Sequence, residues 1–144
     1  MSQRLLERAL AIALEAHRGQ VDRQGNAYIL HPLRLLARFD DTDLQLIAIL
    51  HDVVEDSEWT LEALEQAGFP DQIVQAVDAL TRRNGESYEA LIGRAEKNTL
   101  ARAVKLADLE DHMDLRHIKN LQVDTLERLP RYQAAWHRLQ KTSN

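Results

Sequence analysis

The residues that could carry chemistry are concentrated in one short segment, "HDVVED", residues 51–56. Glu55 follows His51 by four residues, and Asp56 follows Asp52 by four. We predict one helix over this segment, in which residues four apart lie on the same side and one turn from each other. An imidazole and three carboxylates on neighbouring stripes are groups that bind a divalent metal ion and transfer protons.

A metal ion beside His51 and Asp52 would need further ligands from other parts of the chain. The sequence offers His17 and His31 as equal candidates for a second imidazole, and Asp108, in "VKLADLEDH", for a second carboxylate. Two imidazoles and two carboxylates form a mixed nitrogen and oxygen site, which favours Mn²⁺, Fe²⁺, Co²⁺ or Zn²⁺ over Mg²⁺. Such an ion lowers the pKa of a bound water and polarises a phosphoryl oxygen.

Glu55 and Asp56 lie one turn from the predicted ligands, so they could orient that water and accept its proton. Taken alone, an acidic run on a helix is more often a solvated face, and a lone histidine near apolar residues more often belongs to the core. Three motifs in one chain favour the site instead: "HDVVED", the "HP" at residues 31–32 and the "KLAD" at residues 105–108.

The elements that must hold these groups are predicted to be helices throughout. Leucine and alanine are abundant while the chain has only 5 glycines and 3 prolines, a composition that favours helix over sheet. Apolar residues recur at helical spacing up to about His17, and the glycine-containing segment 19–30 predicts a loop. Further helices are predicted over residues 31–39, 40–56, 61–68, 71–83, 88–98 and 99–118, with Thr60 and Ser87 as caps and a last helix that Pro130 starts or kinks.

The composition is that of one globular domain, which we place over residues 1–144. Because there is no cysteine, disulfides and thiolate metal sites are excluded. No segment is long and apolar enough to span a membrane, and the N-terminal segment lacks the features of a signal peptide, so we expect a cytoplasmic protein. A net charge of -5 argues against nucleic acid as a partner but allows a small anionic ligand. The sequence leaves the oligomeric state open.

Four segments occur in the order in which one known family has them: "AHRGQVDRQGNAYILHPLRLLA", "ILHDVVEDS", "ALTRR" and "VKLADLEDHMDL". Together they resemble the hydrolase domain of the Rel/Spo alarmone enzymes, a branch of the HD superfamily, and most of all its stand-alone small alarmone hydrolases. The HDxxED pattern is far more specific than HD alone. The resemblance implies an all-α HD-domain helical bundle. It also implies a hydrolase that removes the 3'-pyrophosphate of a guanosine penta- or tetraphosphate, giving pyrophosphate and GTP or GDP. Because the sequence gives no synthetase domain, we expect hydrolysis without synthesis.

The resemblance also implies roles for individual residues. It favours His31 over His17 as the second imidazole ligand and gives Glu55 and Asp56 the task of activating water. The implied ligands of one Mn²⁺ per chain, or of another divalent transition metal, are His31, His51, Asp52 and Asp108. The residues expected to contact the nucleotide are Arg23, Tyr28, Lys105, His112 and Arg128, with Tyr132 four residues after Arg128.

Two positions depart from the family pattern. The longer Rel/Spo enzymes have an arginine that packs on guanine and then a basic residue, where this chain has Asp22 and Arg23. The family commonly has asparagine four residues after the metal-binding aspartate, where this chain has His112. Because a carboxylate cannot stack as a guanidinium does, an adenosine alarmone is an alternative substrate.

Two other functions stay open from the sequence. Another HD-type nucleotide phosphohydrolase would need the four metal ligands but not Glu55 and Asp56. A non-catalytic HD module that senses a nucleotide is the second alternative, although the presence of all four ligands and both acids argues against it.

Overall fold

The structure, a computed structural model, describes residues 2–141, with only the backbone of Ser2. Over this range the chain forms α-helices, one 3-10 helix at Leu115–His117 and an isolated antiparallel bridge between Val21 and Ala27. The α-helices are α1 (Ser2–Ala16), α2 (Leu30–Ala37), α3 (Thr42–Leu50), α4 (Val53–Asp56), α5 (Leu61–Gln66), α6 (Asp71–Leu80), α7 (Tyr88–Lys97), α8 (Thr99–Met113) and α9 (Val123–Lys141). None of them is long and apolar enough to cross a membrane.

Helix α3 is the centre of the bundle. Its last five residues, 46–50, are all buried, which is typical of a helix enclosed on every side. It packs against α1, α2, α6 and α8. From α1 the residues Ala9, Ile12 and Ala13 form a buried stripe at helical spacing. The residue after α3 is His51, so the predicted chemistry begins where the most buried helix ends.

Side-chain caps fix the starts of several surrounding helices. The predicted caps are confirmed: Thr60 accepts a hydrogen bond from the backbone N–H of Ala63, and Ser87 accepts one from Ala90. Asn98 caps α8 in the same way. Each cap satisfies a backbone donor that has no partner within its helix and stabilises the fold by about 1 kcal/mol.

The prediction of one helix over residues 40–56 is wrong, because the helix is interrupted at His51 and Asp52. Helix α3 ends at Leu50 and α4 begins at Val53, and Asp52 between them has φ -107° and ψ 0°. His51 Nδ1 lies 2.7 Å from the carbonyl oxygen of Ala48. In a continuous helix that oxygen would accept from the backbone N–H of Asp52, so the His51 ring takes over the bond that would extend α3.

Among the other helices, the largest differences from the predicted boundaries are at α8 and α9. The helix predicted over 99–118 ends at Met113, after which Asp114 accepts from the backbone N–H of Arg116 and caps the 3-10 helix. Helix α9 begins at Val123 and continues through Pro130, which therefore does not start it. As a result, both sides of Pro130 contribute residues to one helix that packs on α7 and α8.

Candidate active site

Three buried residues form a cluster in which a metal ion could be held. His31, His51 and Asp108 offer ligand atoms that all lie within 4.8 Å of one another. They come from α2, from the break after α3, and from α8. His31 Nε2 is 2.9 Å from Asp108 Oδ1, and His51 Nε2 is 3.6 Å from the same oxygen. Asp52 joins them, because its Oδ2 lies 3.0 Å from His51 Nε2. The four predicted ligands are thus brought together.

The ring of His51 is arranged as a metal ligand would be. Its Nδ1 faces the carbonyl oxygen of Ala48, which can only accept, so the proton of a neutral ring lies on Nδ1. Its Nε2 is buried and makes no hydrogen bond of acceptable geometry, although Asp52 and Asp108 lie near. A buried nitrogen with a free lone pair among carboxylates is suited to a divalent cation.

The carboxylates of the cluster favour the protonated form of both histidines. Burial disfavours the charged form of His31, but its hydrogen bonds to Asp108 and Asp111 outweigh this and raise the pKa of His31 to about 9. The pKa of His51 is also raised, because the charges of Asp52 and Asp108 outweigh burial. In the protein alone, protons on the two rings therefore balance the carboxylates. Metal binding would displace those protons.

Two of the residues predicted to contact the nucleotide also contact the carboxylates of the cluster. The Tyr28 hydroxyl donates to Asp52 Oδ2. Lys105 Nζ donates to Asp108 Oδ2 at 2.9 Å. Burial would raise the pKa of Asp108, but the charge of Lys105, together with His112, outweighs it and lowers that pKa. Both Tyr28 and Lys105 also line the cavity beside the cluster.

His17, the other candidate imidazole, lies outside the cluster. It is buried, its Nδ1 is 2.9 Å from Gln20 Oε1, and its ring centroid is 5.0 Å from that of Tyr28. The amide of Gln20 in turn donates to the backbone carbonyl of Asp56 at 3.0 Å. His17 therefore supports the residues around the site and does not join the group of possible ligands.

A cavity of about 390 Å³ opens beside the cluster and contains both predicted catalytic acids. Glu55 Oε1 accepts a hydrogen bond from the backbone N–H of Arg82 at 2.8 Å. Asp56 lines this cavity and remains accessible from it. Its partial removal from solvent, together with the charges of Asp52 and Glu55, raises its pKa to about 6. A carboxylate of that pKa can accept protons near neutral pH.

Basic side chains line the same cavity in spite of the chain's negative net charge. They are Arg23, Arg82, Lys105, Arg128 and Arg131. Arg82 and Arg131 line the cavity but were not among the residues predicted for the site. Arg131 lies 4.3 Å from the ring centroid of Tyr88, a cation–π contact. The sequence signals for them are the "ALTRR" at residues 79–83, which runs past the end of α6, and the spacing of three residues between Arg128 and Arg131.

A second cavity of about 300 Å³ adjoins the first. Residues that line both are Arg23, Tyr28, His112, Arg128 and Tyr132. The ring of His112 stacks on Tyr132 with a centroid distance of 5.2 Å. The two cavities together could accept a ligand with a charged part and a planar, less polar part.

Asp22 lines the second cavity, but one of its carboxylate oxygens is already used. Oδ1 accepts from the backbone N–H groups of Gln24 and Asn26, at 2.8 and 3.0 Å. The turn is completed by Gly25, whose φ of +81° is costly for other residues. The neighbouring Arg23 pairs with Asp124 of α9, so this loop is tied to the last helix.

Known proteins similar to this chain were found among individual sequences, although no family model matches it. The chain is 35% identical, over 81% of its length, to the GTP pyrophosphokinase of Streptomyces coelicolor, and 28% identical, over 93%, to the bifunctional (p)ppGpp synthase/hydrolase SpoT of Escherichia coli. It spans only 15% and 22% of the lengths of those two proteins.

A solved structure shares the fold. It is that of a metazoan ortholog of SpoT, which hydrolyzes ppGpp and plays a role in starvation responses. The TM-score is 0.77 at 24% sequence identity, and the match covers 96% of this chain and 87% of that one. This likeness confirms the predicted all-α bundle of the HD-domain type.

Proposed function

The chain is homologous to part of the Rel/Spo alarmone enzymes, and from this premise we propose that it hydrolyses the 3'-pyrophosphate of a purine alarmone. The products are pyrophosphate and the nucleoside 5'-di- or triphosphate. One observation carries the proposal: three of the four possible metal ligands, two acids and five cationic side chains line a single cavity, and the fourth ligand, His31, contacts Asp108 behind it. This combination fits the hydrolysis of a small, highly phosphorylated anion.

We propose that one divalent ion is held by His31, His51, Asp52 and Asp108. Among the ions that mixed nitrogen and oxygen ligands favour, we propose Mn²⁺. The buried lone pair of His51 Nε2 and the adjacent carboxylates support the fit. When bound, such an ion lowers the pKa of a water and polarises the phosphoryl group. Lys105 binds the oxygen of Asp108 that faces away from the two imidazoles, and Tyr28 binds the oxygen of Asp52 that faces His51, so both carboxylates are held in a fixed orientation.

Glu55 and Asp56 are proposed to orient the attacking water and take its proton. In the reaction, water adds to the phosphorus attached to the 3'-oxygen, the bond from phosphorus to that oxygen breaks, and the oxygen gains a proton. Asp56 is suited to accept the proton because its pKa is about 6. Glu55 is held in place by the N–H of Arg82, so its position is set by the end of α6.

The cationic residues are proposed to bind the phosphates. Lys105 and Arg131 lie beside Tyr88, within 5.9 and 4.3 Å of its ring centroid. Arg23 and Arg128 line both cavities, so they could contact phosphates of the ligand on either side of its ribose. Concentrated positive charge in a cleft attracts a polyanion even when the protein as a whole is negative.

The purine is proposed to occupy the second cavity, next to His112 and Tyr132. Imidazole and phenol rings provide flat surfaces for stacking. Guanosine and adenosine alarmones are both candidates, since Asp22 replaces the stacking arginine of the longer enzymes and uses Oδ1 within its own loop.

The test is a substrate panel with the purified chain and Mn²⁺. Guanosine and adenosine 3'-pyrophosphates, the 5'-monophosphates, and GTP with ATP are each incubated with and without a chelator, and pyrophosphate and nucleotide products are measured. Metal-dependent release of pyrophosphate from a 3'-pyrophosphate supports the proposal. Release from none of them refutes it, turnover of a 5'-monophosphate alone favours the other HD-type phosphohydrolase, and binding without release favours the sensing module.

A further inference from the structure

His31 is held by a different carboxylate on each of its two ring nitrogens. Nε2 is 2.9 Å from Asp108 Oδ1, within the possible metal cluster. Nδ1 is 2.7 Å from Oδ2 of Asp111, which is not part of that cluster. Asp111 is 6% exposed and lies on α8, three residues and so about one turn after Asp108. One face of α8 therefore supplies a partner for each nitrogen of the same ring.

The two contacts have different consequences for metal binding. A histidine that binds a metal through Nε2 must be neutral with its proton on Nδ1. Asp111 can stabilise that form, since its carboxylate accepts the Nδ1 proton and has none to give when ionised. Such a carboxylate also increases the electron donation of the other nitrogen to the metal.

Asp111 is itself held by an arginine from the same helix as His31. Arg34, one turn after His31 on α2, donates from Nε to Oδ1 and from Nη2 to Oδ2, each at 2.9 Å. This forked pair fixes the plane of the carboxylate. The carboxylate of Asp111 on α8 therefore contacts two side chains of α2, those of His31 and Arg34.

We propose that Asp111 is a positioning residue, which holds His31 in the Nδ1–H form so that Nε2 can bind the metal ion. Arg34 orients Asp111 and acts on the metal only through it. The inference rests on the proposed function for the identity of the site, but it concerns metal affinity, which can be measured whether or not an alarmone is hydrolysed.

A purely structural reading makes a different prediction. If Asp111 and Arg34 only tie α2 to α8, then removing either partner should lower the melting temperature alike and leave metal affinity unchanged. If Asp111 acts on His31, the loss of its charge should weaken metal binding more than the loss of Arg34 does.

The experiment measures Mn²⁺ affinity by titration calorimetry, and melting of the metal-free protein, for three variants. Asp111→Asn removes the charge at constant size, Arg34→Gln removes the partner, and Glu110→Gln makes the same charge change one residue away, where the side chain contacts Arg38 and Trp136 instead. We expect Asp111→Asn to weaken binding by about 10- to 100-fold, Arg34→Gln to weaken it much less, and Glu110→Gln to leave it unchanged. Unchanged affinity in Asp111→Asn overturns the proposal.

A second measurement uses the unaltered protein and so does not depend on how the variants fold. Heteronuclear NMR of the imidazole nitrogens, with Zn²⁺ as a diamagnetic probe, identifies the protonated nitrogen of His31. A proton on Nδ1 with Zn²⁺ on Nε2 supports the proposal, and the reverse arrangement, or a ring that binds no metal, overturns it. Failure of the substrate panel with both metal results intact would refute the proposed reaction and leave this inference standing.

Discussion

Replacing Asp56 by asparagine is expected to lower kcat of the proposed hydrolysis by about 10²- to 10⁴-fold, the usual contribution of a positioned general base. The change keeps the size of the side chain but removes its ability to take a proton. KM should change little, since the cationic side chains that would bind the phosphates are left in place. A fall in kcat with unchanged KM is the signature of a group that acts in the transition state.

The magnitude follows from the pKa of the group. With a pKa of about 6, Asp56 is about nine-tenths ionised at pH 7, so almost every molecule has the base ready and the full effect of its removal is seen. Each tenfold loss of rate corresponds to about 1.4 kcal/mol in the activation barrier. The expected loss is therefore about 3 to 6 kcal/mol.

Glu55 allows a second, matched change. In Glu55→Gln the amide oxygen can still accept the N–H of Arg82 that Glu55 Oε1 accepts at 2.8 Å, so the variant removes charge without removing the contact. We expect a smaller loss than for Asp56→Asn, and pyrophosphate release near background in the double variant. The control is Glu58→Gln, an exposed residue that does not line the cavity.

The assay is initial-rate release of pyrophosphate from the best substrate of the panel, with Mn²⁺ affinity measured in parallel. Unchanged metal affinity in the double variant ensures that a loss of rate reports the water-handling step. If the double variant turns over its substrate at the rate of the unaltered protein, both acids are wrongly assigned.

The pH profile gives an independent check. Because a general base works in its ionised form, the rate of the unaltered protein should fall as pH is lowered through the pKa of Asp56, which is about 6 in the metal-free protein and lower beside a bound divalent ion. In Asp56→Asn this inflection should be absent. An unchanged inflection in that variant would assign the titration to another group.

Three further predictions concern the cavity and the fold. Arg131→Gln should raise KM about tenfold and leave kcat unchanged, because a charged contact with a phosphate is lost. The control Arg8→Gln, on the exposed side of α1, should change neither constant. An unaltered KM in Arg131→Gln would show that Arg131 is not part of the binding site. Leu50→Ala, at a fully buried position before the break, should lower the free energy of unfolding in urea by about 2 to 5 kcal/mol, and a negligible loss would contradict its place in the core. Ser87→Ala should cost about 1 kcal/mol in the same assay through the lost cap of α7, and no change would show that the cap is replaced by water.

The caps and the types of the clustered residues were predicted from the sequence, whereas the partners that support them were not. The caps Thr60 and Ser87 follow from local hydrogen bonding, which a few residues determine. The contact of His31 with Asp111 joins residues 80 positions apart, and nothing in the spacing of "KLADLED" identifies which acid faces α2. The His–Asp motifs could be singled out by type, but their supporting partners required the packing of α2 on α8.

The start of α9 at Val123 and its continuation through Pro130 also depend on tertiary packing. Proline lacks a backbone N–H and normally stops a helix, so the sequence favours a start or a kink at Pro130. In the structure α9 continues through it and packs against α7 and α8, because tertiary contacts outweigh an unfavourable local preference. Arg128 and Arg131 therefore lie on one helix, and both reach the cavity.

The break after Leu50 was not predicted, and it matters more for the site than the other differences. In a continuous helix, side chains of adjacent residues diverge by about 100°, so His51 and Asp52 could approach one point only from different directions. The observed backbone at Asp52, φ -107° and ψ 0°, lies in a sparsely populated region where many active-site residues are found. It brings Asp52 Oδ2 to 3.0 Å from His51 Nε2.

The same break sets the tautomer of His51. With α3 ended, the carbonyl oxygen of Ala48 is available to Nδ1 of the ring, and this leaves Nε2 facing the carboxylates. A single interruption of the central helix thus joins two adjacent ligands and directs one of them. It also starts α4, whose last two residues are the proposed catalytic acids Glu55 and Asp56. The local departure from ideal helix is therefore what places the proposed metal ligands and the proposed water-handling acids side by side.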